Sequence, residues 1–224
     1  MNNKDKDYYS IKFIIVGDTG VGKTQIIYRY TNGEFRNENM ASTIGVDFSS
    51  KNIQISDKIF HLELWDTGGM ESFKSIRQNY YKNAACAIIV YDITNKDTLK
   101  SVDKWIEECN FSSNNDNLIM ILVGNKTDLI DKRQITEKTG KDYAKNNNMD
   151  FYESSALNGY NINEIFTNAT RKIYNLIKDG IEDKEYNGIS EINRNTKMTI
   201  DENISLEINT GNDDIRDKHK SCCC

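Results

Sequence analysis

A glycine-rich loop directly after the first apolar run, Ile11–Val16, constrains this chain more than any other feature. Residues 17–24 read G-D-T-G-V-G-K-T, which matches the pattern G-x-x-x-x-G-K-[ST] in the strand–loop–helix context that the pattern requires. The glycines let the backbone wrap closely, so that successive N–H groups and the helix N-terminus point at anionic oxygens. Lys23 supplies a cation for β- and γ-phosphates, and the Thr24 hydroxyl is placed to bind Mg²⁺. We therefore expect a nucleoside triphosphate site; the alternative is a glycine-rich turn that only opens a helix.

Apolar runs of strand length alternate with segments of helical periodicity along most of the chain. The expected strands are Ile11–Val16, Val46–Ile55, Ile59–Trp65, Ala85–Tyr91, Leu118–Val123 and Phe151–Glu153. The expected helices are Lys23–Tyr30, Ser72–Tyr81, Thr98–Cys109, Thr136–Lys145 and Ile162–Lys178. This order favours an α/β fold in which a six-stranded, mostly parallel sheet carries helices on both faces. Its hairpin would turn across Ser56–Lys58, and ligands would bind beyond the carboxyl ends of the strands.

The 224 residues suit one core with tails rather than two full domains. We expect an N-terminal tail at 1–10, a nucleotide-binding domain at 11–178 and a flexible tail at 179–224. The last boundary rests on the helical pattern, which fails after Gly180 and gives way to polar residues.

Composition and charge exclude several classes of protein. The longest apolar stretches, 84–91 and 118–123, have the length of buried strands, so we expect no transmembrane helix. The polar N-terminus argues against a secretory signal and favours a cytosolic chain. A formal net charge of −5 gives no general electrostatic footprint for nucleic acid, so we expect no nucleic-acid partner.

Two further motifs follow expected strands. Residues 124–128 read G-N-K-T-D after the fifth strand, and residues 153–157 read E-S-S-A-L at the end of the sixth. Together with the phosphate loop they resemble the small GTPases, and the resemblance runs in order over residues 11–178. It implies a GTP-binding G domain over that range, with GTP or GDP and Mg²⁺ as ligands.

The resemblance also implies which residues recognise the base. A carboxylate at Asp128 would accept hydrogen bonds from the ring N–H and the exocyclic amine of guanine, a donor pair that adenine does not present. Asn125 and Lys126 would support the ring and the loop. The Ala156 N–H would meet the guanine oxygen, with Ser155 holding its loop. This N-K-x-D motif disfavours an ATP-dependent kinase or ATPase; a polar turn at a strand end is the structural alternative.

Two segments resemble the switches of the Rab branch: residues 43–48, T-I-G-V-D-F, and residues 65–69, W-D-T-G-G. The resemblance implies that Thr43 places its hydroxyl on Mg²⁺ and its N–H on the γ-phosphate. The Gly69 N–H would meet another γ-oxygen, and Asp66 would hold Mg²⁺ through water. Because these contacts exist only with the γ-phosphate, hydrolysis would release both segments.

The complete set of positions that the resemblance assigns is larger. The nucleotide positions are Asp18, Thr19, Gly20, Val21, Gly22, Lys23, Thr24, Phe35, Thr43, Gly69, Asn125, Lys126, Asp128, Ser155 and Ala156. The metal positions are Thr24, Thr43 and Asp66, and the catalytic positions are Lys23, Thr43 and Met70. An effector surface would be formed by the aromatic triad Phe48, Trp65 and Tyr80; packing in the core is the alternative role of these rings.

Met70 departs from the family pattern. The family writes its second switch W-D-T-A-G-Q-E, whereas residues 65–71 read W-D-T-G-G-M-E, so Met70 replaces the glutamine that orients the attacking water. A thioether neither donates a hydrogen bond nor accepts one usefully from water, and we expect intrinsic hydrolysis about tenfold slower or more. An activating protein can insert an arginine and a glutamine of its own, so stimulated turnover need not be lost. A tolerated apolar contact is the alternative role of Met70.

Two smaller departures lie nearby. Gly68 replaces the family's alanine and should loosen the second switch. The span from Phe35, the expected neighbour of the guanine face, to Thr43 is one residue longer than is usual in Rabs. Effector fit and nucleotide exchange rate therefore do not follow from the resemblance.

Three cysteines, Cys222, Cys223 and Cys224, end the sequence. A prenylation box of the C-a-a-X type needs cysteine at the fourth position from the end, where Ser221 stands. The ending instead resembles the double-cysteine terminus of Rabs, which implies geranylgeranyl groups on Cys223 and Cys224, or on Cys222 in place of one of them. Two such chains suit stable membrane anchoring. A metal-binding or oxidation-prone cluster is the alternative.

As a whole, the resemblance implies a Rab-like GDP/GTP switch that recruits effectors in vesicle traffic. Its expected partners are an exchange factor, an activating protein, a carrier of the Rab escort or GDP-dissociation-inhibitor type, and effectors. It would work on the cytoplasmic face of endomembranes, with a cytosolic, carrier-bound pool. Residues 121–129, 131–134 and 159–161 look most like the branch serving Golgi and retrograde traffic. A GTP-locked scaffold that does not hydrolyse GTP is the alternative, favoured by Met70 and Gly68.

Overall fold

The computed structural model describes residues 8–36, 45–68, 79–178 and 189–191. Its sheet contains the strands β1 (Tyr8–Val16), β2 (Asp47–Ile55), β3 (Lys58–Asp66), β4 (Cys86–Asp92), β5 (Ile119–Asn125), β6 (Asp150–Glu153) and β7 (Ile189–Glu191). The first six lie in the order β2-β3-β1-β4-β5-β6, and β2 runs antiparallel to β3 while the other pairs are parallel. The expected six-stranded, mostly parallel arrangement is therefore confirmed, and β7 adds a seventh, antiparallel strand beside β1.

Helices follow most of the strands. Within the described ranges the α-helices are α1 (Lys23–Asn32), α2 (Lys96–Lys100), α3 (Val102–Ser112), α4 (Glu137–Asn146) and α5 (Ile162–Lys178), and a 3₁₀ helix spans Thr127–Lys132. Of the expected helix Ser72–Tyr81, residues 72–78 lie outside the described residues and residues 79–81 are helical. In the described part of the chain, no helix is both long and apolar enough to span a membrane.

The central strands of the sheet are buried on both faces, which explains why they read as nearly continuous apolar runs, whereas most of β2 at the edge is exposed or half-buried. Successive residues of β1, such as Phe13 and Ile14, pack on opposite sides of the sheet. Helices α1 and α5 cover the first side, where the rings of Tyr30 and Phe166 stack with their centroids 3.9 Å apart. Helices α3 and α4 cover the second side, which contains Trp105. Helices on both faces are thus confirmed.

The single helix expected at Thr98–Cys109 is two helices in the structure, which meet at Ser101. Asn95 begins the first of them, because its side chain accepts a hydrogen bond from the Asp97 N–H at 3.0 Å. The helix ends at Ser101, whose hydroxyl donates to the Asp97 carbonyl at 3.2 Å and so competes with the backbone N–H for that acceptor. Short polar side chains often compete with helix continuation in this way, and apolar periodicity does not reveal them.

Strand β1 begins at Tyr8, earlier than the expected Ile11, because its first half has partners on both edges. Tyr8 pairs with Ile59 of β3, and on the other edge Ile11 pairs antiparallel with Ile189 of β7. The segment 179–224, expected as a flexible tail, therefore contains a strand. A strand of 3 residues is too short to be recognised by periodicity.

Candidate nucleotide-binding site

A cleft of about 310 Å³ lies beyond the carboxyl ends of β1, β5 and β6. It is lined by Gly20, Gly22, Gln25, Phe35, Asn125, Lys126, Asp128, Leu129, Ala156 and Leu157. The structure thus brings the phosphate loop and the loops after β5 and β6 to one place, as the parallel sheet predicts. Gln25, Leu129 and Leu157 were not assigned to the site from the sequence. Gln25 directly follows the phosphate loop, Leu129 follows G-N-K-T-D, and Leu157 ends E-S-S-A-L, and this proximity to the motifs is the signal that could have found them.

The phosphate loop packs so closely against its neighbours that two glycines leave no room for a side chain. A Cβ at Gly17 would lie 2.3 Å from the Val90 carbonyl oxygen, and one at Gly22 would lie 2.3 Å from Asn125 Nδ2. Their φ angles are +141° and +102°, values that other residues rarely adopt. The loop is therefore held against β4 and β5 in a conformation that only glycine permits at these positions.

Lys23 begins helix α1 and folds back over the phosphate loop. The residue is 5% exposed, and its Nζ donates hydrogen bonds to the carbonyl oxygens of Gly17 and Asp18 at 2.8 and 2.9 Å. These bonds hold the ammonium group near the N-terminus of α1, where the helix dipole adds partial positive charge. The arrangement suits anionic oxygens such as those of phosphate groups.

Thr24 and Asp66 meet below the loop, at the start of α1 and the end of β3. The Thr24 hydroxyl donates a hydrogen bond to Asp66 Oδ2, and the Gly68 N–H donates to Oδ1 at 3.3 Å. Asp66 is 2% exposed, and burial raises the pKa of its carboxyl, while the Thr24 hydrogen bond and the charge of Lys23 act in the opposite direction. A divalent cation would relieve the cost of burying this carboxylate.

The donor set at this position also fits Mg²⁺. A hydroxyl and a carboxylate are the hard oxygen ligands that Mg²⁺ prefers, and this ion usually takes few protein ligands together with phosphates and waters. Among the described residues, no group of three or more His, Cys, Asp and Glu side chains forms a metal cage. The remaining expected ligand, Thr43, lies outside the described residues.

Asn125 connects the phosphate loop to the loops that were expected to bind the base. Its Nδ2 donates to the Val21 carbonyl at 2.9 Å. Its Oδ1 accepts hydrogen bonds from the Ser154 hydroxyl at 3.2 Å and from the Ala156 N–H at 3.3 Å. One buried side chain thus sets the spacing of three loops that are distant in sequence.

Asp128 lies across the cleft from the phosphate loop. One of its carboxylate oxygens, Oδ1, accepts a hydrogen bond from the Ser155 hydroxyl at 2.5 Å. The Thr127 N–H donates to the Ser154 carbonyl at 3.1 Å, which joins the two loops a second time. Ser155 therefore orients the carboxylate of Asp128, a contact that the resemblance did not assign to it.

Lys126 is held by an ion pair with Asp92, a residue that lies outside the sequence motifs. Lys126 has a left-handed φ of +72°, an uncommon conformation for a residue with a side chain. Its Nζ forms an ion pair with Asp92 Oδ2 at 2.7 Å. Asp92 is the last residue of β4, so its place at the carboxyl end of an expected strand was the available signal.

The aromatic triad forms a row beside the hairpin of β2 and β3. The ring of Trp65 lies 4.9 Å from that of Phe48 and 5.5 Å from that of Tyr80, measured between centroids. Lys12 Nζ lies 4.9 Å from the Trp65 ring centroid. Phe48 is 49% exposed, whereas Trp65 and Tyr80 are half-buried and Trp65 packs against the core cluster that contains Trp105.

Several expected positions lie outside the described residues. They are Thr43 in the first switch, Gly69 and Met70 in the second, and the cysteines Cys222, Cys223 and Cys224. Their roles remain predictions from the sequence.

Comparisons with known proteins agree with this geometry. The profile of the Ras family matches residues 12–175, which include the phosphate loop and both base loops. The chain is also similar to the Ras-related protein Rab-11C of Dictyostelium discoideum, with 36% identity over 227 residues that cover 100% of each chain. The match to the family extends over most of the sequence and through every loop of the cleft. The chain therefore belongs to the Ras family of small GTPases.

Proposed function

We propose that this protein is a Rab-like switch that alternates between GDP- and GTP-bound forms and recruits effectors in intracellular vesicle traffic. Ras-family GTPases bind GTP or GDP with Mg²⁺ and hydrolyse GTP. The observation that carries the proposal is the single cleft in which the phosphate loop meets the N-K-x-D loop, joined by the bond from Asn125 to Val21 at 2.9 Å. This bond fixes the spacing of a phosphate site and a base site, as a nucleotide requires.

Each end of the cleft offers the chemistry that one part of the nucleotide needs. Lys23 and the loop amides would bind the β- and γ-phosphates, and Asp128 would bind the edge of guanine. The Ala156 N–H, which donates to Asn125 Oδ1 at 3.3 Å, would exchange that long bond for one to the guanine oxygen. Thr24 and Asp66 would hold Mg²⁺, which supplies charge neutralisation for the phosphates when bound. Phe35 and the two leucines beside the motifs give the cleft apolar walls against which a base can lie.

The hydrolytic part of the proposal depends on the second switch. Lys23 and Thr43 are retained from the family's catalytic set, whereas Met70 has no group that can orient water. We therefore propose slow intrinsic hydrolysis that an activating protein can raise. Met70 and Gly68 favour a second candidate, a GTP-locked scaffold that does not hydrolyse its nucleotide.

Replacement of Met70 by glutamine is expected to raise the single-turnover rate of GTP hydrolysis by about tenfold or more, because the amide restores water orientation. Phosphate release from preloaded protein measures this rate, with and without a Rab activating protein. Met70→Leu is the matched control and should show no gain. An unchanged rate in Met70→Gln would refute the role given to Met70, and no release from the natural protein under either condition would establish the scaffold instead.

The proposed cellular role rests on two features that resemble the Rab family, namely the aromatic triad and the cysteines at the end of the sequence. Effectors would recognise whether GDP or GTP is bound through the surface that Phe48, Trp65 and Tyr80 form. Geranylgeranyl groups on Cys223 and Cys224, or on Cys222, would anchor the protein, and a carrier would keep a cytosolic pool. Similarity to a Rab-11C protein supports endomembrane traffic in general. Within that, we propose the Golgi and retrograde branch on the sequence segments that resemble it.

A further inference from the structure

Asp18 places a carboxylate within the phosphate-binding loop. It directly follows Gly17, where the backbone turns to receive phosphate oxygens, and its carboxylate carries the same sign of charge as the expected ligand. Like charges at close range repel, and the repulsion is strong where water is partly excluded. The loop can therefore serve a polyphosphate only if this carboxylate is directed elsewhere.

Trp105 gives the carboxylate another partner. Its indole Nε1 donates a hydrogen bond to Asp18 Oδ1 at 2.9 Å, across 87 positions of sequence. Trp105 is 0% exposed and belongs to the core cluster on the α3 side of the sheet, whereas α1 and the residues that follow Lys23 pack on the other side. The carboxylate is thus turned towards α3.

The backbone of Asp18 is fixed at the same time. Its carbonyl oxygen accepts the hydrogen bond from Lys23 Nζ at 2.9 Å, so one residue is bonded to the ammonium group through its backbone and to the indole through its side chain. Trp105 itself has little freedom, because Val102 and Cys109 on the same face of α3 are also fully buried. Helix α3 therefore determines, through Trp105, the direction of the Asp18 carboxylate in the phosphate loop.

We propose that Trp105 is a positioning residue for nucleotide binding: it holds the Asp18 carboxylate away from the phosphate site, so that only backbone amides and Lys23 face the phosphates. This inference rests on the proposed function. It adds a residue outside the cleft lining to the determinants of nucleotide affinity. The expected signature is that the importance of Trp105 depends on the charge at position 18.

A double-mutant cycle tests this dependence. The affinity for GDP in the presence of Mg²⁺ is measured for the natural protein, Trp105→Phe, Asp18→Asn and the double variant. Trp105→Phe should weaken GDP binding by about tenfold or more, because it releases a charge beside the phosphates. In the Asp18→Asn background the same substitution should change the affinity less than about threefold, since no charge is released. Raising the salt concentration should reduce the defect of Trp105→Phe.

The controls separate positioning from mere packing. Cys109→Ala removes buried volume from the same face of α3 and should leave GDP affinity unchanged, although it lowers stability. Trp105→Tyr is carried through the same cycle, in case the phenylalanine variant is too unstable to assay. Equal losses in both backgrounds would overturn the inference and leave Trp105 a structural residue. Failure of the natural protein to bind GDP would overturn the proposed function, and this inference with it.

Discussion

Replacement of Lys23 by alanine is expected to weaken the binding of both GDP and GTP by about a hundredfold or more. The ammonium group is buried over the loop and held by the carbonyl oxygens of Gly17 and Asp18 at 2.8 and 2.9 Å. The Lys23 side chain therefore does not have to rearrange when an anion binds. Alanine removes the cation and leaves those two carbonyl oxygens without this donor, so binding and loop geometry suffer together.

Isothermal titration of nucleotide-free protein with GDP and with GTP, in the presence of Mg²⁺, measures the loss. Lys51→Ala is a matched control, since Lys51 Nζ also donates to a backbone carbonyl at 2.6 Å, but that carbonyl belongs to Tyr30, near the end of α1 opposite to Lys23. It should lower stability without changing nucleotide affinity. Affinity of the Lys23 variant within about threefold of the natural protein would contradict the phosphate site.

Replacement of Asp128 by asparagine is expected to weaken GDP binding by about a hundredfold and to strengthen the binding of xanthosine diphosphate. Guanine presents two adjacent donors, which suit a carboxylate, whereas xanthine presents one donor and one carbonyl acceptor, which suit an amide. The Ser155 hydroxyl, now bonded to Asp128 Oδ1, can bond an amide oxygen equally well. The substitution should therefore change base preference and leave the loop in place.

Competition between the two diphosphates for a fluorescent nucleotide measures this change in preference. Asp131→Asn offers a control in the same 3₁₀ helix, at an exposed position outside the cleft lining, and should leave both affinities as they are. Undiminished GDP affinity in the Asp128 variant, with no gain for xanthosine diphosphate, would show that this carboxylate does not read the base.

The order of elements and the place of the cleft could be predicted from the sequence, because both follow from local patterns. Strands buried on both faces give apolar runs, and a glycine-rich loop between a strand and a helix gives a fixed spacing of Gly17, Gly22 and Lys23. The N-K-x-D loop could be placed because it follows such a strand.

Contacts between distant residues could not be predicted in this way. The bond from Trp105 to Asp18 and the ion pair of Lys126 with Asp92 join different loops and helices, and neither changes the periodicity of its own segment. The early start of β1 depends on strands that pair with it from elsewhere in the chain. The 3₁₀ helix at Thr127–Lys132 follows the left-handed Lys126, a conformation that propensity does not favour for lysine.

Guanine-nucleotide binding is tested most directly by measuring which nucleotide the purified protein carries in the presence of Mg²⁺, and how much of it. Denaturation of the protein and chromatography of the released bases and phosphates provide both values. We expect guanine nucleotide in an amount equimolar with the chain, and we expect the protein to bind GDP or GTP again after its nucleotide has been removed. Adenine nucleotide in its place, or no measurable affinity for either guanine nucleotide, would contradict guanine-nucleotide binding.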